Sequence, residues 1–141
     1  MQVTLTQIPM REILHFLGWH GTPVEPPLME RIGQIRRETL DQIKPRAVMR
    51  RFARLPDGTL GGTNFLPQGG DVRAMLAPCY KAVLLAATLG ADSERLILKE
   101  QAKDSADALI FDAALSAAIE AVCDQMEETL RGELAAQGLY L

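Results

Sequence analysis

Four polar side chains recur at every fourth position of one alanine-rich segment: Asp112, Ser116, Glu120 and Asp124. On a helix, residues four apart are neighbours, so this spacing sets three carboxylates and a hydroxyl along one ridge. Ala113, Ala114, Ala117, Ala118 and Ala121 flank the ridge and leave room for another backbone or a ligand. Beside it runs the stripe Phe111, Leu115, Ile119, Val122, Met126 and Leu130, which must face a core. A carboxylate next to that stripe is expected to be partly buried. It then needs a donor, a cation, or the amine and hydroxyls of a ligand. The chemistry this suits is recognition of a polar, cationic small molecule. The plainer reading is a solvated flank held by intrahelical pairs. Glu120 is expected to be the most interior of the four, because Ala117 and Ala121 surround it.

Other chemical residues form weaker patterns. His15 and His20 are the only histidines, and no Cys or carboxylate lies at a metal-ligand spacing from them. There is no G-x-S-x-G and no Cys–His signature, so a nucleophilic triad has no support. Cys79 and Cys123 form neither a CxxC nor a disulfide framework and read as two reduced, largely buried thiols. Gln68-Gly69-Gly70-Asp71 precedes a short helix and reads as a turn. An anion there would meet the Asp71 charge. Arg46, Arg50, Arg51 and Arg54 crowd one segment and read as a solvated strand face, with an acidic partner or ligand as the alternative.

These residues must be positioned by a chain of 141 residues, enough for one domain with a real core. Apolar residues make up 48% and charged residues 23%, the balance of an ordinary globular protein. A net charge of −3 offers no electrostatic case for nucleic acid. No apolar run reaches the roughly 18 residues of a membrane span. The start MQVTLTQIPMREIL lacks a basic n-region and a clear apolar h-region, so no signal peptide and a cytoplasmic location are expected.

Val3–Ile8 alternates and suits a short first strand. Pro9 suits a helix start, Met10, Ile13, Leu14 and Leu17 make its stripe, and Gly18 stops it. Trp19–Pro27 reads as a loop. Leu28, Ile32, Ile35, Thr39 and Ile43 mark one face of a second helix that Pro45 ends. Arg46–Leu55 reads as a strand, and Asp57-Gly58 as a hairpin turn that returns antiparallel over Thr59–Phe65. Asp71 is placed to cap a short helix through Leu76, closed by Pro78. Tyr80–Gly90 is a continuous apolar run without alternation, the pattern of a strand at Lys81–Thr88 buried on both faces. Ser93–Gln101 and Ser105–Ala136 read as a short and a long helix. Strands mix with helices without a βαβα rhythm, so the expected class is α+β: a twisted antiparallel or mixed sheet packed against the long C-terminal helix and shorter ones. The chain stops on Leu139-Tyr140-Leu141, apolar where termini are usually polar, so truncation or docking of the terminus on a partner is expected, with a simple packed terminus as the alternative.

Four blocks together resemble the activation-domain family of vitamin B12-dependent methionine synthase. They are REILHFLGW (Arg11–Trp19), Lys44-Pro45-Arg46 at the end of the second helix, CYKAVLLAATLGAD (Cys79–Asp92) and FDAALSAAIEAVCDQ (Phe111–Gln125). They cover most of the chain, in order. The second half is the more specific: an apolar strand, ATLG, a short helix, then D-x3-S-x3-E-x3-D. The resemblance implies an α+β module that binds S-adenosylmethionine and docks on a cobalamin-binding domain. There it supplies the methyl donor when the cobalamin has been oxidised to an inactive cobalt(II) state, and a flavoprotein supplies the electron. It implies that Glu120 matches an acidic position near the S-adenosylmethionine site, with Asp112, Ser116 and Asp124 in the same helical pattern. The family's R-x-x-x-G-Y segment would begin about where this chain ends, at Leu141, so one domain over 1–141, truncated at its C-terminus, is expected. No D-x-H-x-x-G motif is present, so cobalamin is expected to come from a partner. S-adenosylmethionine binding is expected to be weak or partner-dependent. A chain that keeps the fold without the ligand site would instead be an interaction module, docking on a corrinoid protein or self-associating along an unpaired sheet edge.

Overall fold

The structure, a computed structural model, describes residues 1–101 and 104–141. Its elements are α1 (Met10–Phe16), α2 (Pro26–Gln42), β1 (Arg46–Ala53), α3 (Gly70–Leu76), β2 (Lys81–Thr88), α4 (Asp92–Gln101) and α5 (Ser105–Ala135). β1 and β2 pair as a two-stranded antiparallel sheet, and with five helices the fold is α+β. The chain divides into two compact units, Met1–Ala47 with Ala87–Leu141, and Val48–Ala86.

The first unit is a helical cluster around α5, against which α1, α2 and α4 each pack. Phe111, Leu115, Val122, Met126 and Leu130 are buried along α5, as their stripe requires. Ala113, Ala114, Ala117 and Ala118 are buried too. Small side chains on those faces let three helices approach the axis of α5 closely, so a broad face of its middle is covered. α2 contributes Ile32, Ile35 and Thr39, all fully buried. The Thr39 hydroxyl donates to the Ile35 carbonyl at 2.8 Å, which satisfies it inside the core.

Local signals account for the helix ends. Pro9 precedes α1, and Gly18 follows it at φ 78°, in the left-handed region glycine favours. Prolines open α2. Asp104 caps α5 by accepting from the Ala106 N–H at 2.8 Å. One long-range pair, absent from any sequence pattern, ties α2 to α5. Arg31 Nε donates to Asp107 Oδ1 at 2.8 Å, and Arg31 Nη2 reaches Asp107 Oδ2. The pair raises the Arg31 pKa and lowers that of Asp107, chiefly through the hydrogen bond between them.

Two strand expectations fail. Val3–Ile8 forms no strand: Gln2 makes a single bridge to Arg46, and Val3 and Ile8 bury their side chains from an irregular backbone. The first helix begins at Met10, too soon for a ladder to extend. In the second unit, the turn at Asp57-Gly58 forms, with Leu55 N–H donating to Thr59 O at 2.9 Å, but Thr59–Phe65 does not return as a strand. Pairing stops at the single bridge Arg54↔Leu60. Gly62, at φ 78°, turns the chain, and Thr63 Oγ1 donates back to Leu60 O at 2.7 Å. The cap expected of Asp71 is also absent. Gly69 occupies the N-cap of α3 without a side-chain hydrogen bond, and Asp71 lies inside the first turn.

The largest correction concerns β2. Its bounds match the apolar run, but none of its residues is buried, and Leu84 and Leu85 are 44% and 37% exposed. A strand is buried on both faces only when layers cover both. This sheet has two strands, and Val48, Phe65, Met75 and Tyr80 of the same unit are exposed as well. Leu60 is the one buried large apolar side chain of Val48–Ala86 among the described residues.

Candidate functional site

The ridge on α5 does not run parallel to the core. Each step of four residues on a 3.6-residue turn advances about 40° around the axis, so three steps cross about a third of the circumference. Asp112, Glu120 and Asp124 are accordingly exposed, and Ser116 alone is half-buried. Glu120 is therefore not the most interior of the four, because the alanine at 117 faces the core while Glu120 has rotated away from it. Ser116 is the most interior of the four. None of Asp112, Ser116, Glu120 and Asp124 makes an ion pair or hydrogen bond with another described residue, so the intrahelical pairs of the plainer reading do not form.

Ser116 opens onto a hollow of about 300 Å³ within the first unit. Three segments build it. The end of β2 and the following residue bring Ala87, Thr88 and Leu89; α4 brings Ser93 and Ile97; α5 brings Leu115, Ser116 and Ile119. The β2–α4 connection is shaped by its own hydrogen bonds. Gly90, at φ 98°, donates its N–H to Thr88 Oγ1 at 3.1 Å, and Ser93 Oγ donates to Gly90 O at 2.7 Å. A Cβ at Gly90 would only touch Lys44 at ordinary contact distance, so it is the backbone conformation, at φ 98°, that suits glycine there. Lys44 N–H donates to Leu89 O at 2.7 Å and anchors the turn to the chain that leaves α2.

The hollow thus has an apolar floor of Leu89, Ile97, Leu115 and Ile119 and three hydroxyls, from Thr88, Ser93 and Ser116. Thr88 Oγ1 keeps its proton to donate, Ser93 keeps lone pairs to accept, and Ser116 is uncommitted among the described residues. Asp112 and Glu120 lie one helical turn to either side of Ser116, so the hydroxyl is flanked by two uncompensated negative charges. This arrangement can receive a flat apolar group on the floor and a positive charge at the Ser116 edge. Glu120 and Asp124 also act on Cys123. Burial, with the Glu120 and Asp124 charges next in importance, raises its thiol pKa. The sequence pattern found Ser116 and the acids. It did not single out Thr88, Ser93 or Ile97, for which the Thr88-Leu89-Gly90 turn into a helix was the available signal.

The remaining chemical residues are dispersed. His15 and His20 are exposed, their rings edge-on at 5.9 Å between centroids. Cys79 and Cys123 are free, half-buried thiols. Among the described residues no group of three His, Cys, Asp or Glu could hold a metal ion, and no helix is long and apolar enough to cross a membrane. On β1, Arg46, Arg50 and Arg51 are exposed, with the Arg50 guanidinium 5.3 Å from the centre of the Phe52 ring. No family model matches this chain, and no curated protein matches it.

Proposed function

We propose that this chain is a cytoplasmic accessory protein of cobalamin-dependent methionine synthase that holds S-adenosylmethionine for reductive remethylation of a partner's cobalamin. The observation that carries the reading is the convergence of the two most specific blocks of the resemblance. Cys79–Asp92 supplies Ala87, Thr88 and Leu89 to the hollow, and Phe111–Gln125 supplies Leu115, Ser116 and Ile119. The ligand's chemistry suits the residues. Adenine would lie on the apolar floor, ribose hydroxyls would meet Thr88, Ser93 and Ser116, and the sulfonium and ammonium charges would face Asp112 and Glu120, with Asp124 adding to the field. The hollow is at the lower end of the range for ligand sites and is open, so a ligand of this size would stay partly exposed until a partner covered it. Weak or partner-dependent affinity follows.

S-adenosylmethionine supplies the methyl group, and the corrinoid that receives it would belong to the partner, since this chain offers no buried histidine to a cobalt. The chain's own residues bind and orient the donor. Isothermal titration of S-adenosylmethionine tests this, first into the chain alone and then with cobalamin-loaded methionine synthase lacking its activation domain. Heat is expected at least in the second titration, reduced several-fold by Glu120→Gln. No heat in either, or an affinity that Glu120→Gln leaves unchanged, overturns the reading.

A second reading draws on the other unit. The exposed apolar side chains of Val48–Ala86 suit an interaction module that docks on a corrinoid protein or on itself.

A further inference from the structure

We propose that the outer edge of β2 is an interface with a second copy of this chain, the two β2 strands pairing antiparallel about a two-fold axis to make a four-stranded sheet. The inference rests on the interaction reading and specifies its partner; it is independent of S-adenosylmethionine.

The two edges of the sheet are treated differently. The outer edge of β1 is engaged near both ends. Arg46 bridges Gln2, and Ala47 N–H donates to Met1 O at 3.0 Å. At the far end Gly61 N–H donates to Ala53 O at 2.8 Å, beside the bridge Arg54↔Leu60. β2 has β1 as its one strand neighbour, and no bridge meets its other edge among the described residues. Unpaired edges are ordinarily blunted by charge, proline, a bulge or a cover. β2 reads KAVLLAAT: eight residues with no proline, no glycine and a single charge, at its first position. Such a strand offers a row of free N–H and C=O groups with apolar side chains on both sides.

Charge selects this edge and this partner. Pairing β1 with itself would bring Arg46, Arg50 and Arg51 of both copies into one seam. Pairing β2 with itself about an axis between Leu84 and Leu85 sets Lys81 opposite Thr88 of the second copy, and Leu84 opposite Leu85. No like charges face each other, and apolar residues meet apolar residues across the seam. The contact is isologous, so it closes at two copies. It also answers a deficit within the unit, since a two-stranded sheet is marginal by itself and four strands cover more of each apolar face.

Sedimentation velocity of the full chain across a concentration series reads the outcome. A reversible monomer–dimer equilibrium is expected, and Leu84→Lys should weaken it about tenfold or more by setting a charge in the seam. Far-UV circular dichroism reports that the variant keeps its helices. Hydrogen exchange supplies a readout without mutation: amides of β2 should slow as concentration rises, while those of α5 stay constant. A monomer throughout, a dimer indifferent to Leu84→Lys, or concentration-dependent protection elsewhere than β2 overturns the proposal. A monomer that still binds cobalamin-loaded methionine synthase overturns the second-copy partner and leaves the interaction reading standing.

Discussion

Val48–Ala86 is as rich in apolar residues as the rest of the chain, yet its apolar side chains are mostly exposed, while every buried apolar side chain of the core except Leu60 belongs to the other unit among the described residues. Charge divides the same way. Val48–Ala86 carries five basic residues, Arg50, Arg51, Arg54, Arg73 and Lys81, against Asp57 and Asp71, so the excess acid of the chain lies wholly in the other unit. The contrast teaches that apolar content does not set burial; geometry does. α5 is long enough to receive three helices, and its alanines let them close in. The second unit has a seven-residue helix, two strands and a glycine-rich connection, none of which presents a face another can cover. One unit therefore closes on itself and holds the hollow at Ser116. The other keeps an apolar, basic surface suited to association.

The sharpest way to break this comparison is to truncate one large side chain in each unit. Phe111→Ala, at a site 1% exposed, should cost about 3–5 kcal/mol in denaturant unfolding. Leu85→Ala, at a site 37% exposed, should change the stability of the monomer by less than about 0.5 kcal/mol. Equal losses would mean that both units carry a core.

A smaller effect is expected at the ion pair between α2 and α5. Asp107→Asn should cost roughly 1.5 kcal/mol at neutral pH, since Arg31 keeps part of its hydration while losing a charged partner. The folded pKa of Asp107 is depressed, so the pair's contribution is complete above the ordinary carboxylate value of about 4 and is lost as pH falls through the lowered one. The gap in stability between wild type and Asp107→Asn should therefore close on acidification. A gap that persists in acid would assign the loss to packing instead. A smaller effect than that of Asp107→Asn should follow Asp104→Ala, which removes the α5 cap at a cost of about 1 kcal/mol or less. It should fray the start of α5 in hydrogen exchange and leave the amides of β2 unmoved.

The helices were legible because their signals are local. Pro9 and Gly18 bracket α1, Pro45 follows α2, and the stripe from Phe111 to Leu130 named the buried face of α5, although α2 begins at Pro26, inside the segment that reads as a loop. The candidate site was legible in part. The four-residue spacing of Asp112, Ser116, Glu120 and Asp124 singled out the right helix surface. Its rotation about the axis, which leaves Ser116 inward and Glu120 outward, becomes visible only against the neighbours that cover α5.

Composition and spacing alone determined the α+β class, the bounds of β2, the core stripe of α5 and the ridge of acids, because each depends on residues near one another in the chain. Tertiary structure decided the rest. It left β2 uncovered, stopped the hairpin at one bridge, joined Arg31 to Asp107 across 76 positions, and brought Thr88 and Ser93 to the same hollow as Ser116. Burial and pairing are properties of what lies opposite, and a run of apolar residues carries the same pattern whether or not a second layer arrives to cover it.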